Sequence, residues 1–472
     1  MLKKIHPEPE LPYTDDKGFL NKLRHFALVS SRWTERWVPE AWVLAVILSI
    51  IVFLVAVTFG NATVAEATNS WGKGLWVLLP LMAQFTFAIV VASVCANVPI
   101  TSKALNWLGS RTNPDKPWQA IALVTIVSFG LAYINWAFCL LVSATFVPYV
   151  IKHNPKADKR LLVVAAYTGM ATLWHAGISG VVPLLMGTPN NFLLTNNVVS
   201  ELIPVTRTLF TAFNLLLILV TIISVVLALA LLTPKNRQKN NPTDTEDWED
   251  TAKRIKKPAD PSPADHMVWW PGWNIILGCA SLYFLIQNFK NAGIAGWTID
   301  TCNLLFLTMA LFLSWRPIIF LECCKKGIQG AWGIIVQFPL YGGIFGLISY
   351  TELGHAFTSL FTSISTKQTF LPIVYWYSGF LSYFIPSGGS KWAIEAPYLL
   401  KAAQELGISP ASTVLAYTWG DMSSHLIQPF WAIPLLDITK TKFGQIAGYC
   451  AILFLIYLVV ISIFMFFMPT NL

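Results

Sequence analysis

His175, Lys391, Glu395, Asp421 and His425 all stand within apolar stretches of the sequence. An ionisable group at membrane depth is costly, so each is a functional candidate. Lys391 could attract a carboxylate. It is also spaced i, i+4 from Glu395, so the two could simply pair with each other. The two histidines could handle protons, or bond between helices as structural groups. Asp421 and His425 share one helical face and would suit a metal pair, but no third ligand stands at a related spacing. No nucleophile is placed beside a base, and the sequence contains no Gly-x-x-x-x-Gly-Lys-Ser/Thr phosphate loop. The expectation is a protein that is not an enzyme, has no resident cofactor and binds no nucleic acid.

The uncharged candidates cluster where helices should break. Pro386-Ser387-Gly388-Gly389-Ser390 should stop a helix and free backbone groups. Its N–H groups could meet an anion, its carbonyls a sodium ion, or the run could be only a kink. Asn135-Trp136 interrupts another apolar run. Gly187-Thr188-Pro189-Asn190 and the Gly420 to Gln428 stretch, with Ser423 and Ser424, offer hard oxygen donors. Thr188 and Asn190 could equally cap a helix end. The candidate substrate contacts are therefore Asn135, Trp136, Thr188, Asn190, Ser387, Gly388, Gly389, Ser390, Lys391 and His425. The candidate sodium ligands are Asn135, Asn190, Ser387 and Ser423, with a proton as the other possible coupling ion.

These residues need a scaffold that holds them inside a bilayer. The 472-residue chain is 55% hydrophobic and 12% charged, against about 25% charged for soluble domains. Apolar blocks such as Val43 to Val57, Leu75 to Val94, Leu209 to Leu232 and Ala451 to Met468 approach the roughly 20 residues that a spanning helix needs. The net charge of +8 sits in loops and reads as topology. Lys3, Lys4, Lys17, Lys22, Arg24, Arg32 and Arg36 place the tail 1–37 in the cytoplasm. The stretch 119–151 is flanked by basic loops on both sides, so it should enter and leave on one face as a re-entrant hairpin with its tip at Tyr133 to Trp136. Spans are expected near 38–58, 75–97, 161–187 (broken), 209–233, 269–288, 302–321, 328–350, 410–436 (broken) and 445–468, with a second hairpin at 370–400. The C-terminus then lies outside. Residues 234–267 read as a charge-balanced cytoplasmic linker and 268–301 as an extra span with its outer loop. The seven cysteines lack metal-site spacing and read as small apolar residues.

The halves 38–233 and 302–472 are related. Leu131, Tyr133, Ala166-Tyr167-Thr168 and His175 recur as Leu381, Tyr383, Ala416-Tyr417-Thr418 and His425, all at a spacing of 250. The loop charges run the matching segments in opposite directions, which is the inverted repeat common among secondary transporters. The expected fold is an all-α polytopic membrane protein: two inverted-topology repeats, about 11 transmembrane helices and two re-entrant helical hairpins.

Ile134-Asn135-Trp136, Gly187-Thr188-Pro189-Asn190, Val336-Gln337-Phe338-Pro339, Pro386-Ser387-Gly388-Gly389, Trp392 and Gln428-Pro429-Phe430-Trp431-Ala432 resemble the short-chain fatty acid transporter family, within the wider superfamily that includes divalent-anion/sodium symporters. The resemblance covers nearly the whole chain. It implies a short-chain monocarboxylate as substrate, carried across a bacterial inner membrane by a homodimer with elevator-type movement of a transport domain. Related symporters carry Ser-Asn-Thr at both hairpin tips; here Asn135-Trp136 and Pro386 to Ser390 stand in those places. A carrier of another small anion or zwitterion, or an anion channel, is the alternative.

Overall fold

The computed structural model describes residues 39, 41–233, 255–428 and 430–472. The expected N-terminal tail and residues 234–254 of the linker lie outside the described residues. Among the described residues every regular element is a helix. In order these are α1 (Ala41–Thr58), α2 (Val64–Gly74), α3 (Leu79–Ala96), α4 (Pro99–Gly109), α5 (Pro117–Ile134), α6 (Trp136–His153), α7 (Lys159–Thr172), a 3₁₀ turn Trp174–Ala176, α8 (Val181–Gly187), a single turn Phe192–Thr195 and α9 (Ala212–Leu231). Next come α10 (Pro263–Trp269), α11 (Gly272–Ala292), α12 (Ile299–Ser314), α13 (Pro317–Ile328), α14 (Trp332–Ser349), α15 (Leu353–Ile364), α16 (Phe370–Phe384), α17 (Gly388–Glu405), α18 (Pro410–Ser423), a 3₁₀ turn Phe430–Ala432, α19 (Ile433–Thr439) and α20 (Phe443–Phe466).

Local chemistry explains most boundaries. Proline supplies the first helical residue of α4, α5, α13 and α18, where its missing N–H costs nothing. Side-chain oxygens of Asp158, Thr211 and Ser409 cap α7, α9 and α18. Thr63 and Glu66 form a reciprocal capping box on α2, which holds two otherwise orphaned N–H groups.

Among the described residues six helical segments are long and apolar enough to cross a membrane, and the bent pair Lys159–Thr172 with Trp174–Thr195 makes a seventh. Other apolar segments are split. The run expected as one span over 302–321 ends at Ser314, because Trp315 takes φ +63° and Pro317 starts α13. The segment expected as a 33-residue hairpin is a pair of 18-residue helices, α5 and α6, each about 27 Å long. The helices α2, α4 and α15 occupy stretches that hydropathy leaves as loops, and α13 takes in the end of the expected 302–321 span and the loop after it.

The succession of elements recurs. α1 to α9 correspond in order to α12 to α20, with α10 and α11 between them. Packing follows the same exchange: α3 packs against α12 and α13, while α14 packs against α1 and α2. The α2–α14 contact is close because it is made of glycine: a Cβ on Gly74 would overlap the Gly342 carbonyl and the Gly346 backbone. Small residues at such crossings let helices approach in lipid.

Candidate functional site

Both arm pairs break where candidate residues stand. At the first, Asn135 has extended φ/ψ and its Oδ1 accepts from Phe138 N at 2.9 Å, so it caps α6. The Trp136 N–H donates to Ser179 Oγ at 3.0 Å. At the second, Ile385 to Ser387 separate α16 from α17. The paired glycines Gly388-Gly389 do not end a helix, as expected from sequence; they begin α17. Lacking side chains, they let its first turn lie against its neighbours. A Cβ on Gly388 would come within 2.6 Å of His175 Cε1 and 2.9 Å of Asp421 Oδ2, and one on Gly389 within 2.6 Å of the Phe85 ring. The Tyr417 hydroxyl donates to the Gly388 carbonyl at 2.5 Å. The partly positive start of α17 therefore faces the Asp421 carboxylate, the favourable pairing for a helix dipole.

Two more breaks complete the centre. Between α7 and α8, the backbone groups freed at the turn find partners: Asn214 Nδ2 donates to the Ala176 carbonyl at 3.1 Å, and Ile178 N–H donates to the Tyr133 carbonyl at 2.8 Å. Between α18 and α19, the His425 carbonyl accepts from Tyr167 OH at 2.8 Å, which ties one half of the chain to the other.

A buried ionic cluster joins these breaks. Lys391, Glu395, Asp421, His175 and His425 are all fully buried. Lys391 Nζ lies 3.2 Å from Glu395 Oε1 and 3.4 Å from Asp421 Oδ1. It donates to the Ser378 carbonyl at 3.0 Å and sits 4.1 Å from the Tyr417 ring centroid. An ammonium has three N–H donors, and these acceptors use all of them. Lys391 thus serves the protein's own carboxylates in this arrangement. Asp421 Oδ2 lies 2.9 Å from His175 Nδ1, and its Oδ1 accepts from Ser382 Oγ at 3.3 Å. His175 Nε2 accepts from the Val182 N–H at 3.1 Å, so the ring proton is on Nδ1, facing Asp421. His425 meets Asp421 through Ser382, whose Oγ stands 3.4 Å from His425 Nε2.

Beside the cluster stand Trp136, Trp174 and Trp431, with ring centroids 5.9 to 6.5 Å apart. The Trp174 indole stacks on His175 at 4.4 Å and lies nearly parallel to His425 at 6.2 Å. In this group Trp174 Nε1, Trp431 Nε1, His425 Nδ1 and Ser424 Oγ are buried and make no well-formed hydrogen bond among the described residues. Buried polar atoms are nearly always hydrogen-bonded. Those of the aromatic nest leave donors that a ligand with acceptor atoms can satisfy. Sequence reading named Trp136 and His425 but passed over Trp174. The available signal was that Trp174 immediately precedes the repeat-matched His175.

The other candidates fall elsewhere. Ser390 is buried and donates to Ser387 Oγ at 2.5 Å. Asn190 is exposed at φ +56° in a turn. Ser423 Oγ donates to the Gly420 carbonyl at 2.8 Å. The four expected sodium ligands are not gathered, since Asn190 is on the surface while Asn135 and Ser423 are buried. Thr188 is a link between elements: its Oγ1 donates to the Leu184 carbonyl at 2.7 Å and accepts from Ile299 N–H at 3.1 Å. Thr188→Val strands that buried N–H and is expected to cost about 1–3 kcal/mol in thermal unfolding while leaving the KM for transported substrate unchanged. A raised KM at unaltered stability would return Thr188 to the binding site.

Asn135 and Trp136 also border a cavity of about 20 Å³ with Gln84, Ser179 and Asn303. A second cavity of about 120 Å³ lies between α3, α6, α13 and α19, lined by Ser93, Asn97, Thr145 and Lys326. No residue of the ionic or aromatic groups lines it.

Residues 22–468 match the family model described as "Short chain fatty acid transporter". The chain is 30% identical over 438 residues to the protein of Escherichia coli (strain K12) named "Putative short-chain fatty acid transporter", covering 92% of this chain and 98% of that one. A protein of the same name from Haemophilus influenzae is 28% identical over 89% of this chain and 94% of its own. Among solved structures, the Alcanivorax borkumensis YdaH transporter superposes with a TM-score of 0.59 at 14% identity, covering 92% of this chain and 99% of that chain. Neisseria gonorrhoeae MtrF, of a class of antimetabolite efflux pumps, gives 0.55 at 11% identity over 94% of this chain and 97% of that one. At such identities these two matches speak to the fold alone.

Proposed function

Given that the chain belongs to the short-chain fatty acid transporter family, a family of membrane transporters and not of enzymes, we propose that it is a secondary active transporter of a short-chain monocarboxylate, coupled to a cation. The aromatic nest carries this reading. Indole and imidazole N–H groups donate to a carboxylate, and a hydrogen bond to a charged group contributes about 1.5–3 kcal/mol. The ring faces of Trp136, Trp174 and Trp431 suit a tail of a few methylenes. The nest is made from both halves and lies beside all four helix breaks, where transporters of repeated architecture place their substrates. The 20 Å³ cavity at Asn135 has room for about one water molecule, so a four-carbon acid requires the breaks to part. This supports alternating access, with the arm pairs α5–α6 and α16–α17 moving against α1–α3 and α12–α14. The recurring order of elements supports inverted repeats of this moving unit. A homodimer in a bacterial inner membrane, N-terminus cytoplasmic and C-terminus outside, completes the proposal.

The test is uptake of radiolabelled butyrate into proteoliposomes under an imposed sodium or proton gradient, with protein-free vesicles subtracting passive entry of the acid. Saturable uptake driven by one gradient is expected. Trp174→Phe keeps the ring stack and removes the Nε1 donor, so the KM should rise about 10- to 100-fold, the equivalent of one charged hydrogen bond. Absence of uptake of any two- to six-carbon acid under either gradient, in folded protein, would defeat the assignment.

A further inference from the structure

The buried cluster does not balance its charge. Lys391 contributes one positive charge, and Glu395 and Asp421 two carboxylates, all without solvent exposure. The histidines do not make up the difference. His175 accepts a backbone N–H at Nε2, so it cannot carry a second proton there. His425 Nδ1 makes no well-formed hydrogen bond among the described residues; only the Met170 backbone carbonyl faces the ring, so an imidazolium would be poorly satisfied there. With both carboxylates ionised the cluster would hold a net charge of −1, which costs several kcal/mol when buried.

Which carboxylate should carry the neutralising proton follows from their partners. Asp421 is served as an anion by Lys391, by the Nδ1–H of His175 and by the Ser382 hydroxyl. Glu395 has only Lys391 at Oε1 and the Ser378 hydroxyl, 2.5 Å from Oε2. A carboxylic acid at Glu395 keeps that short contact with donor and acceptor exchanged. A sodium ion is less suited, because the Lys391 ammonium already occupies the space between the carboxylates. The other groups facing Glu395 are Tyr377 of α16, whose hydroxyl lies 2.7 Å from that of Tyr398 on its own helix, and Tyr417 with Asp421 on α18. The first 3₁₀ turn presents His175, which reaches the cluster through Asp421. Tyr341 lies on α14, and His355 of α15 bonds Lys401 at the exposed end of α17. The sequences of α8 and the turn Phe192–Thr195 carry no titratable side chain.

We infer that Glu395 is a proton-carrying site whose loading permits the substrate anion to bind at the neighbouring aromatic nest. This rests on the carboxylate reading above. The step is a single protonation, carboxylate plus H⁺ giving carboxylic acid, taken from one side of the membrane and returned on the other. The linkage is electrostatic. An unprotonated cluster repels an anion in a low-dielectric site, and Trp174 of the nest stacks directly on His175 of the cluster. One proton and one monocarboxylate then move together without net charge.

Two measurements on the purified full-length protein test this. Difference infrared spectroscopy of the ligand-free protein at neutral pH should show the C=O band of a buried carboxylic acid, absent in Glu395→Gln and shifted in Ser378→Ala, which loses only the hydrogen-bond partner. Calorimetric titration with butyrate should show affinity falling about tenfold per pH unit once the site begins to empty, as one linked proton requires, and a pH-independent affinity in Glu395→Gln. A missing band, or a pH slope retained by Glu395→Gln, would overturn the proton site. A band that behaves as expected in a protein binding no short-chain acid at any pH would uphold the proton site and defeat the carboxylate reading.

Discussion

Lys391→Gln is expected to destabilise the fold by about 3–5 kcal/mol, the cost of removing one partner from a buried ion pair, and to abolish transport. The ammonium is held by Glu395, Asp421 and the Ser378 carbonyl. Without it Asp421 remains as a buried anion supported only by the neutral His175 and the Ser382 hydroxyl. The double variants carry the diagnostic content. Lys391→Gln/Asp421→Asn removes both charges of the pair and should recover most of the lost stability. Lys391→Gln/Glu395→Gln should recover little, because a protonated Glu395 contributes no charge to cancel. Thermal unfolding in detergent, followed for the wild type, the single variant and both doubles, decides the matter. Greater rescue by Glu395→Gln than by Asp421→Asn would mean that the charges are assigned to the wrong carboxylate.

The sequence announces the breaks better than it announces what meets across them. Asn135 and Pro386-Ser387 mark the arm breaks because an amide N-cap and a proline leave local traces. The structure breaks the helices at Asn135, inside the first expected tip, and at Ile385 to Ser387, overlapping only the start of the Pro386 to Ser390 run. The Lys391–Glu395 spacing likewise shows a possible pair on one helix face. The third member, Asp421, lies on another helix, and no spacing rule can bring it to Lys391. Repeat matching picked out His175 and His425, but not that Ser382 separates His425 from Asp421. Helices of 11 or 12 residues such as α2 and α13 escape a hydropathy search tuned to lengths near 20. The first was still legible, since Thr63 and Glu66 have the spacing of a capping box.

Positions that share the spacing of 250 differ where chemistry is concentrated. Ser128 and Ser378 stand 250 residues apart, on α5 and α16. Ser128 Oγ donates to the Ala166 carbonyl at 2.8 Å and accepts from Gly169 N–H at 3.0 Å, holding α5 to α7. Ser378 Oγ reaches Glu395 instead. The first half uses the position for packing and the second for the ionic cluster, so the second half holds Lys391, Glu395 and Asp421 and the first supplies His175 and two of the tryptophans.

Gly388→Ala should reduce initial uptake about 100-fold, the scale on which small misplacements disturb a preorganised site. The added methyl meets His175 Cε1 at 2.6 Å and Asp421 Oδ2 at 2.9 Å. Neither can retreat cheaply, because His175 is fixed at both ring nitrogens and by the Trp174 stack. The start of α17 must yield instead. That lengthens the Tyr417 bond to the Gly388 carbonyl and moves Lys391, one turn further along, away from Asp421. Overpacking of this kind costs about 1–3 kcal/mol, less than the loss expected for Lys391→Gln, so the protein should fold and bind substrate more weakly. Gly130→Ala is the matched control: it is helical and exposed, with nothing within 4 Å of an added Cβ, and should slightly raise stability through helix propensity while transporting normally. If Gly388→Ala transports at the wild-type rate, the first turn of α17 does not close on His175 and Asp421 during transport, and the coupling between cluster and nest must run through Trp174 alone.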